Sequence, residues 1–163
     1  MKVILTAILL CAVLGCPMPS GNGPIPTGTI GDCLKSEDAF YRIRGGFDYS
    51  RAPVLYPYHL VNITGTITLC ASNDIIVGNA LSVGLTKGYI YGSAGPDQEF
   101  GKTIPAHWFM VEVSTRKYWT YDTEADYTDA LRAKNIDAAG VLPCQKVEES
   151  FMKKGVDLFM DHR

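Results

Sequence analysis

Between His107 and Asn135 the sequence HWFMVEVSTRKYWTYDTEADYTDALRAKN changes its hydrophobic period, and no other feature constrains the fold as tightly. Phe109, Val111 and Val113 alternate with Met110 and Glu112, the period of two expected of a strand with unlike faces. Ser114-Thr115-Arg116 interrupts the alternation as a turn. Tyr118-Trp119-Thr120-Tyr121 then resumes it with aromatic side chains suited to cross-strand packing. Thr123 offers an N-cap oxygen, and Asp126 lies near the positive end of the helix dipole that would follow. Tyr127, Ala130, Leu131 and Lys134 continue at helical spacing. The stretch predicts a hairpin with a helix docked beside it.

The flanking sequence extends this unit. A chain of 163 residues is long enough for one domain with a sizeable core. Nine tyrosines with abundant glycine and proline favour strands joined by tight turns. The net charge of −2 gives no reason to expect a nucleic-acid partner. Ser36-Glu37-Asp38 opens at most one helical turn, and Tyr41-Arg42-Ile43-Arg44 reads as a first strand ended by Gly45-Gly46. Pro53 to Leu60 carries two prolines, which suits an edge strand or an ordered loop. Asn62 to Ala71 reads as one strand, with Ile63, Gly65, Ile67 and Leu69 on one face, and Asn73-Asp74 turns into Ile75-Ile76-Val77. Leu85 to Gly92 is a further strand, Ser93 to Lys102 a polar loop, and Asp137 to Pro143 a connection. Gln145 to His162 reads as a second helix, its stripe formed by Val147, Phe151, Gly155 and Phe159, with Glu148, Glu149, Lys153 and Lys154 turned to solvent. The expected fold is α+β: an antiparallel, meandering sheet of about five or six strands with two helices, 123–135 and 145–161, packed on one face.

The N-terminus carries an address. Lys2 precedes an apolar run from Val3 to Leu14, broken only by Thr6, the length of a signal-peptide core and too short to span a bilayer. Val13-Leu14-Gly15-Cys16 has the spacing of a bacterial lipobox. Residues 1–15 are therefore expected to be a signal peptide, 16–32 a lipidated Cys16 with a flexible Pro/Gly tether, and 33–163 a single α+β domain. Ordinary cleavage after Gly15, leaving Cys16 as a plain residue in a soluble secreted protein, is the alternative. With Cys16 lipidated, Cys33, Cys70 and Cys144 remain, enough for one disulfide and one thiol; with Cys16 plain, four cysteines fit two disulfides. Cys33–Cys144 is the first choice, because it ties the ends of the domain together, and Cys33–Cys70 is the second.

Motifs for chemistry are few. His59, His107 and His162 are not spaced as metal ligands, no C-x-x-C is present, and no nucleotide-binding loop or G-x-S-x-G elbow occurs, so no metal and no cofactor is expected. Asn62-Ile63-Thr64 is a glycosylation sequon placed in an expected strand. A nucleophilic pair could join His107 to Cys33, Cys70 or Cys144, and a hydrolase could pair His107 with Asp122 or Glu112. Trp108, Tyr118, Trp119 and Tyr121 could form a ligand platform, although such residues more often pack a hairpin against a helix.

Together, the lipobox leader, the strand Trp108-Phe109-Met110-Val111-Glu112-Val113, the turn Ser114-Thr115-Arg116-Lys117, the strand Tyr118-Trp119-Thr120-Tyr121 and the helix from Glu124 to Lys134 resemble a group of small bacterial lipoproteins of uncharacterised function. That resemblance implies a β-rich domain held at the membrane through an N-terminal lipid, and it supplies no catalytic residues. The functional expectation is an exported, membrane-anchored lipoprotein with a non-enzymatic binding or structural role in the cell envelope, its partner an unknown protein or small molecule. A secreted, disulfide-containing enzyme, a hydrolase using His107, is the alternative.

Overall fold

The computed structural model describes residues 34–45, 49–86, 88–99 and 101–162; the expected signal peptide (1–15), the expected tether with Cys16 (16–32) and Cys33 lie outside them. Helix α1 (Glu37–Arg42) leads into a meander of β1 (Ser50–Leu55), β2 (Tyr58–Ile63), β3 (Thr66–Ala71) and β4 (Asp74–Val77), which forms a four-stranded sheet in that order. The second half contributes β5 (Ala80–Thr86), β6 (Tyr89–Ala94), a small hairpin of β7 (Asp97–Glu99) and β8 (Lys102–Ile104), β9 (His107–Glu112) and β10 (Lys117–Tyr121). Helix α2 (Glu124–Ala133), strand β11 (Leu142–Pro143) and helix α3 (Cys144–Glu149) follow. The second sheet has five strands in the order β10-β9-β6-β5-β11, and every pairing in both sheets is antiparallel.

The fold is α+β, as the sequence predicts, but the strands divide among the four-stranded sheet, the five-stranded sheet and the β7–β8 hairpin rather than forming one sheet. Two stretches read as single strands each fold back on themselves. Thr64 and Gly65, at φ 54 and 91, form a two-residue turn inside 62–71, and the Asn62 carboxamide oxygen accepts from the Gly65 amide at 3.0 Å. Gly88, at φ 89, turns the chain between β5 and β6. Left-handed backbone at both residues is what joins two strands in so short a loop. The stretch 41–44 is not a first strand either. Ser36 caps α1 by accepting from the Ala39 amide at 3.1 Å, and the helix runs through Arg42. At its other end the buried Arg51 donates to the carbonyls of Phe40 and Ile43, at 2.7 and 2.9 Å, a cation where the helix dipole favours one.

The main core lies between the sheets. Val54, Leu60 and Leu69 of the first sheet meet Val83, Ile90, Phe109 and Val111 of the second, with Cys144, Val147 and Phe151 closing one side. On the opposite face of the second sheet, Tyr91 and Met110 pack against Tyr127 and Leu131 of α2. The two helices therefore sit on opposite faces of the second sheet, not on one face together. Thr123 caps α2 as predicted, accepting from the Asp126 amide at 3.2 Å.

The last helix is shorter than the expected 145–162. It widens over Ser150–Lys154 and stops at Gly155, whose φ of 67 suits a left-handed C-terminal cap. The amides of Gly155 and Val156 return to the carbonyls of Phe151 and Ser150, at 3.0 and 3.2 Å. Glu148, read from sequence as solvent-facing, instead ties α3 to the first sheet. Its carboxylate accepts from the Asn62 side-chain amide at 3.0 and 2.9 Å and also from the Ser50 hydroxyl. The sequon asparagine is thus committed to the fold through its amide nitrogen.

Two substitutions separate packing from capping. A Cβ on Gly92 would stand 2.0 Å from the Ser82 carbonyl oxygen, and neither backbone can yield cheaply. Gly92→Ala is expected to lower unfolding free energy in urea by about 2 kcal/mol or more, whereas Thr123→Ala removes one cap and costs about 1 kcal/mol.

Candidate functional site

The sandwich opens at β10. Tyr118 and Thr120 stand opposite Val111 and Phe109 in the ladder, so they share the face that forms the core on β9. On β10 that face is polar, and Tyr118, Thr120 and Asp122 are exposed. These three side chains form one wall of a groove of about 560 Å³. Ile75, Ile76 and Val77 of β4 and the threonines 66 and 68 of β3 form the other wall, while Asp97, Gln98 and Ile104 of the small hairpin contribute to the lining.

His107 also lines the groove. Its Nδ1 lies 3.0 Å from the Pro105 carbonyl oxygen, which can only accept, so the ring proton is on Nδ1. That leaves Nε2 to accept from the Tyr118 hydroxyl at 3.2 Å. Asp122 lines the same groove. Because Trp108 pairs with Tyr121, the residues one step on, His107 and Asp122, point to the same face. Both nitrogens of His107 are engaged elsewhere. Asp97 is set by a close approach: a Cβ at Gly78 would fall 1.9 Å from its Oδ2, and its Oδ1 accepts from the Gln98 amide at 2.7 Å. Among the described residues the lining includes two carboxylates and no lysine, arginine, serine or cysteine.

The other sequence candidates are dispersed. Glu112 lies on the opposite face of β9 from His107, where it accepts from the hydroxyls of Tyr89, at 3.2 Å, and Thr115. The Thr115 hydrogen bond holds its carboxyl below the ordinary carboxylate value. Trp108 stacks on Tyr127 with ring centroids 6.4 Å apart, and Tyr121 meets Tyr127 at 5.9 Å. Trp119 lies under the ammonium groups of Lys117 and Lys134, at 4.8 and 5.9 Å from its centroid. These three aromatics pack in the α2 cluster, and Tyr118 alone of the four faces the groove.

Cys70 and Cys144 are buried, are not bonded to each other, and do not line the groove with His107. Burial pushes their thiols up to about 11 and about 12, which leaves little thiolate near neutrality. A nucleophilic pair of either with His107 is therefore not assembled, and Cys33 lies outside the described residues. Among the described residues no three histidine, cysteine, aspartate or glutamate side chains gather as a metal set.

Asp97, Gly78 and the threonines of β3 went unnoticed in the sequence. They lie in different segments of the chain, and only the tertiary packing brings them to one groove. None of the protein families, curated proteins or solved structures compared with this chain matches it.

His59, on the outer face of the first sheet, gives the fold an acid sensitivity. It is fully buried against Phe40, its ring centroid 5.7 Å away. Its Nδ1 lies 3.1 Å from the Pro57 carbonyl, and Nε2 has no hydrogen-bond partner among the described residues. Burial first, then the Arg51 charge, lowers its pKa from 6.5 to about 4. The unfolded chain thus takes up the proton before the folded one does. Stability is full above the unfolded value and declines as pH falls from there toward the folded value, by about 3 kcal/mol in all. Urea titrations across that window should show the slope in the wild type and a flatter profile in His59→Gln.

Proposed function

We propose that this protein is exported, is anchored to a membrane through lipid on Cys16, and presents its domain on the 16–32 tether to bind a partner protein or small ligand in the groove without catalysis. The anchoring is supported by the leader, its Gly15-Cys16 end and the Pro/Gly spacer that follows. Diacylglycerol on Cys16, with a further acyl chain on its amine, holds a protein at a bilayer far longer than a single chain does. The binding role is carried by one observation: among the described residues the groove is lined by hydrogen-bonding and acidic groups without a serine or cysteine, and both nitrogens of its histidine are engaged.

A secreted hydrolase is the second reading, favoured by the shared placement of His107 and Asp122. It would need water as the attacking group and a partner exchange at His107. No cofactor enters either reading, and no nucleic acid is proposed as partner.

Cys33 lies outside the described residues and Cys70 and Cys144 are both free thiols; for the disulfide we propose Cys70, the second choice of the sequence, as the partner of Cys33. The Tyr56 hydroxyl donates to the Leu34 carbonyl at 3.5 Å, and Tyr56 packs on Phe40. Phe40 in turn packs on His59, which stands opposite Cys70 in the β2–β3 ladder. Cys144 instead belongs to the core between the sheets.

One mass-spectrometric experiment on the protein from its native host tests these points. The mature N-terminal peptide should begin at Cys16 with diacylglyceryl mass added, and a digest without reductant should contain Cys33 joined to Cys70. A peptide that starts at unmodified Cys16, or later, overturns the anchor; a Cys33–Cys144 link overturns the pairing.

A further inference from the structure

We propose that the groove is a saccharide site, in which the Asp97 carboxylate, fixed beside Gly78, accepts from vicinal hydroxyls of a short neutral sugar. This rests on the groove being a binding site and names the chemical class of what fills it.

Asp97 is held in place before any ligand arrives. A Cβ at Gly78 would fall 1.9 Å from its Oδ2 and 3.1 Å from its Cγ, so the carboxylate occupies the space that a side chain at position 78 would take. Gly78 is not one of the positive-φ glycines, so its backbone admits other residues, and what glycine supplies there is room for Asp97. The base of the β7–β8 hairpin is tied to the same corner. The Asn79 side-chain amide donates to the Pro96 carbonyl at 2.8 Å, and the Gly95 amide donates to the Asn79 carbonyl at 2.9 Å. The Gln98 amide donates to Asp97 Oδ1 at 2.7 Å. A carboxylate has room for several hydrogen bonds, and one fixed in this way loses little freedom on binding.

The lining pairs two kinds of surface. Thr66, Thr68 and Thr120 bring hydroxyls, each able to donate and to accept. Asp97 and Asp122 bring carboxylates, which accept from hydroxyls more strongly than neutral groups do. Ile75, Ile76 and Ile104 add aliphatic surface beside them, and Ile75 is 72 % exposed. A pyranose ring matches both: its hydroxyls donate and accept around the edge, while its C–H groups form an apolar face. A small amine would engage the carboxylates and leave the isoleucines unmatched. A purely aliphatic ligand would cover the threonine hydroxyls without giving them partners, at a cost in free energy. The volume of about 560 Å³ is that of a small-molecule site, which sets the ligand as a short saccharide.

The test titrates methyl glycosides of glucose, galactose, mannose and N-acetylglucosamine, with maltose, cellobiose and chitobiose, into the isotopically labelled full chain. The detergent is one without a sugar headgroup. Spermidine and tetralysine are titrated in parallel, each probe to about 10 mM. At least one saccharide should shift the Asp97, Thr68 and Thr120 amide resonances and bind about tenfold or more tightly than either cation. Its affinity should fall about tenfold in Asp97→Asn, which loses the charged acceptor, and by about as much in Gly78→Ala, whose Cβ turns the carboxylate out of its place. The group displaced in Gly78→Ala is the end of a side chain, so the urea midpoint should stay close to that of the wild type, separating loss of the site from loss of the fold. Asp129→Asn, on α2 and outside the groove lining, should leave affinity within about twofold. A saccharide that binds Asp97→Asn as tightly as the wild type overturns the proposal. Cations that shift the groove resonances alone, or bind as tightly as the best saccharide, overturn the sugar but not groove binding. If no probe shifts those resonances, both fall.

Discussion

The structure depends on burying β6 and β9 on both faces. Phe109 and Val111 point into the core between the sheets, while Met110 points into the cluster under α2. A strand in that position needs two covers: the first meander with α3 supplies one, and α2 supplies the other. Each fully buried side chain of this size contributes about 2 kcal/mol by removal from water. Either cover alone would leave a row of apolar side chains in solvent. The polar ties are arranged around the same need. Glu148 reaches the Asn62 amide to hold α3 against β1 and β2, and Arg44 donates to the Met152 carbonyl at 3.0 Å where the last helix ends.

The groove follows from incomplete cover. The first sheet does not extend over β10, so the inner face of that strand meets solvent and carries Tyr118, Thr120 and Asp122 in place of apolar residues. The outer face of β10 is under α2 and remains aromatic, with Trp119 and Tyr121 in that cluster. One five-residue strand thus has a structural side and a solvent side. The four aromatics that the sequence groups together are divided by this arrangement, three holding a helix and one entering the groove.

Much of the local structure was legible. Alternation from Phe109 to Val113 gave the correct faces, Ser114 to Arg116 marked a turn, and Thr123 marked the start of α2, because each signal is made by neighbours in the chain. The folds-back at Thr64-Gly65 and Gly88 were not, since apolar alternation runs straight through both turns and only positive φ distinguishes them. The early end of α3 was hidden likewise: Phe159 keeps the helical spacing beyond Gly155, yet it reaches the core by another route.

By itself the sequence determined the α+β class, the central hairpin and the cap of α2, all of which are written within a few neighbouring residues. Only the tertiary structure decided that there are two sheets, that the helices lie on opposite faces, and that His107, Asp122 and Asp97 line one groove. Those outcomes turn on contacts between distant segments, such as Gly78 admitting the Asp97 carboxylate. Hydrophobic period specifies which face of an element is buried, but not which other element buries it.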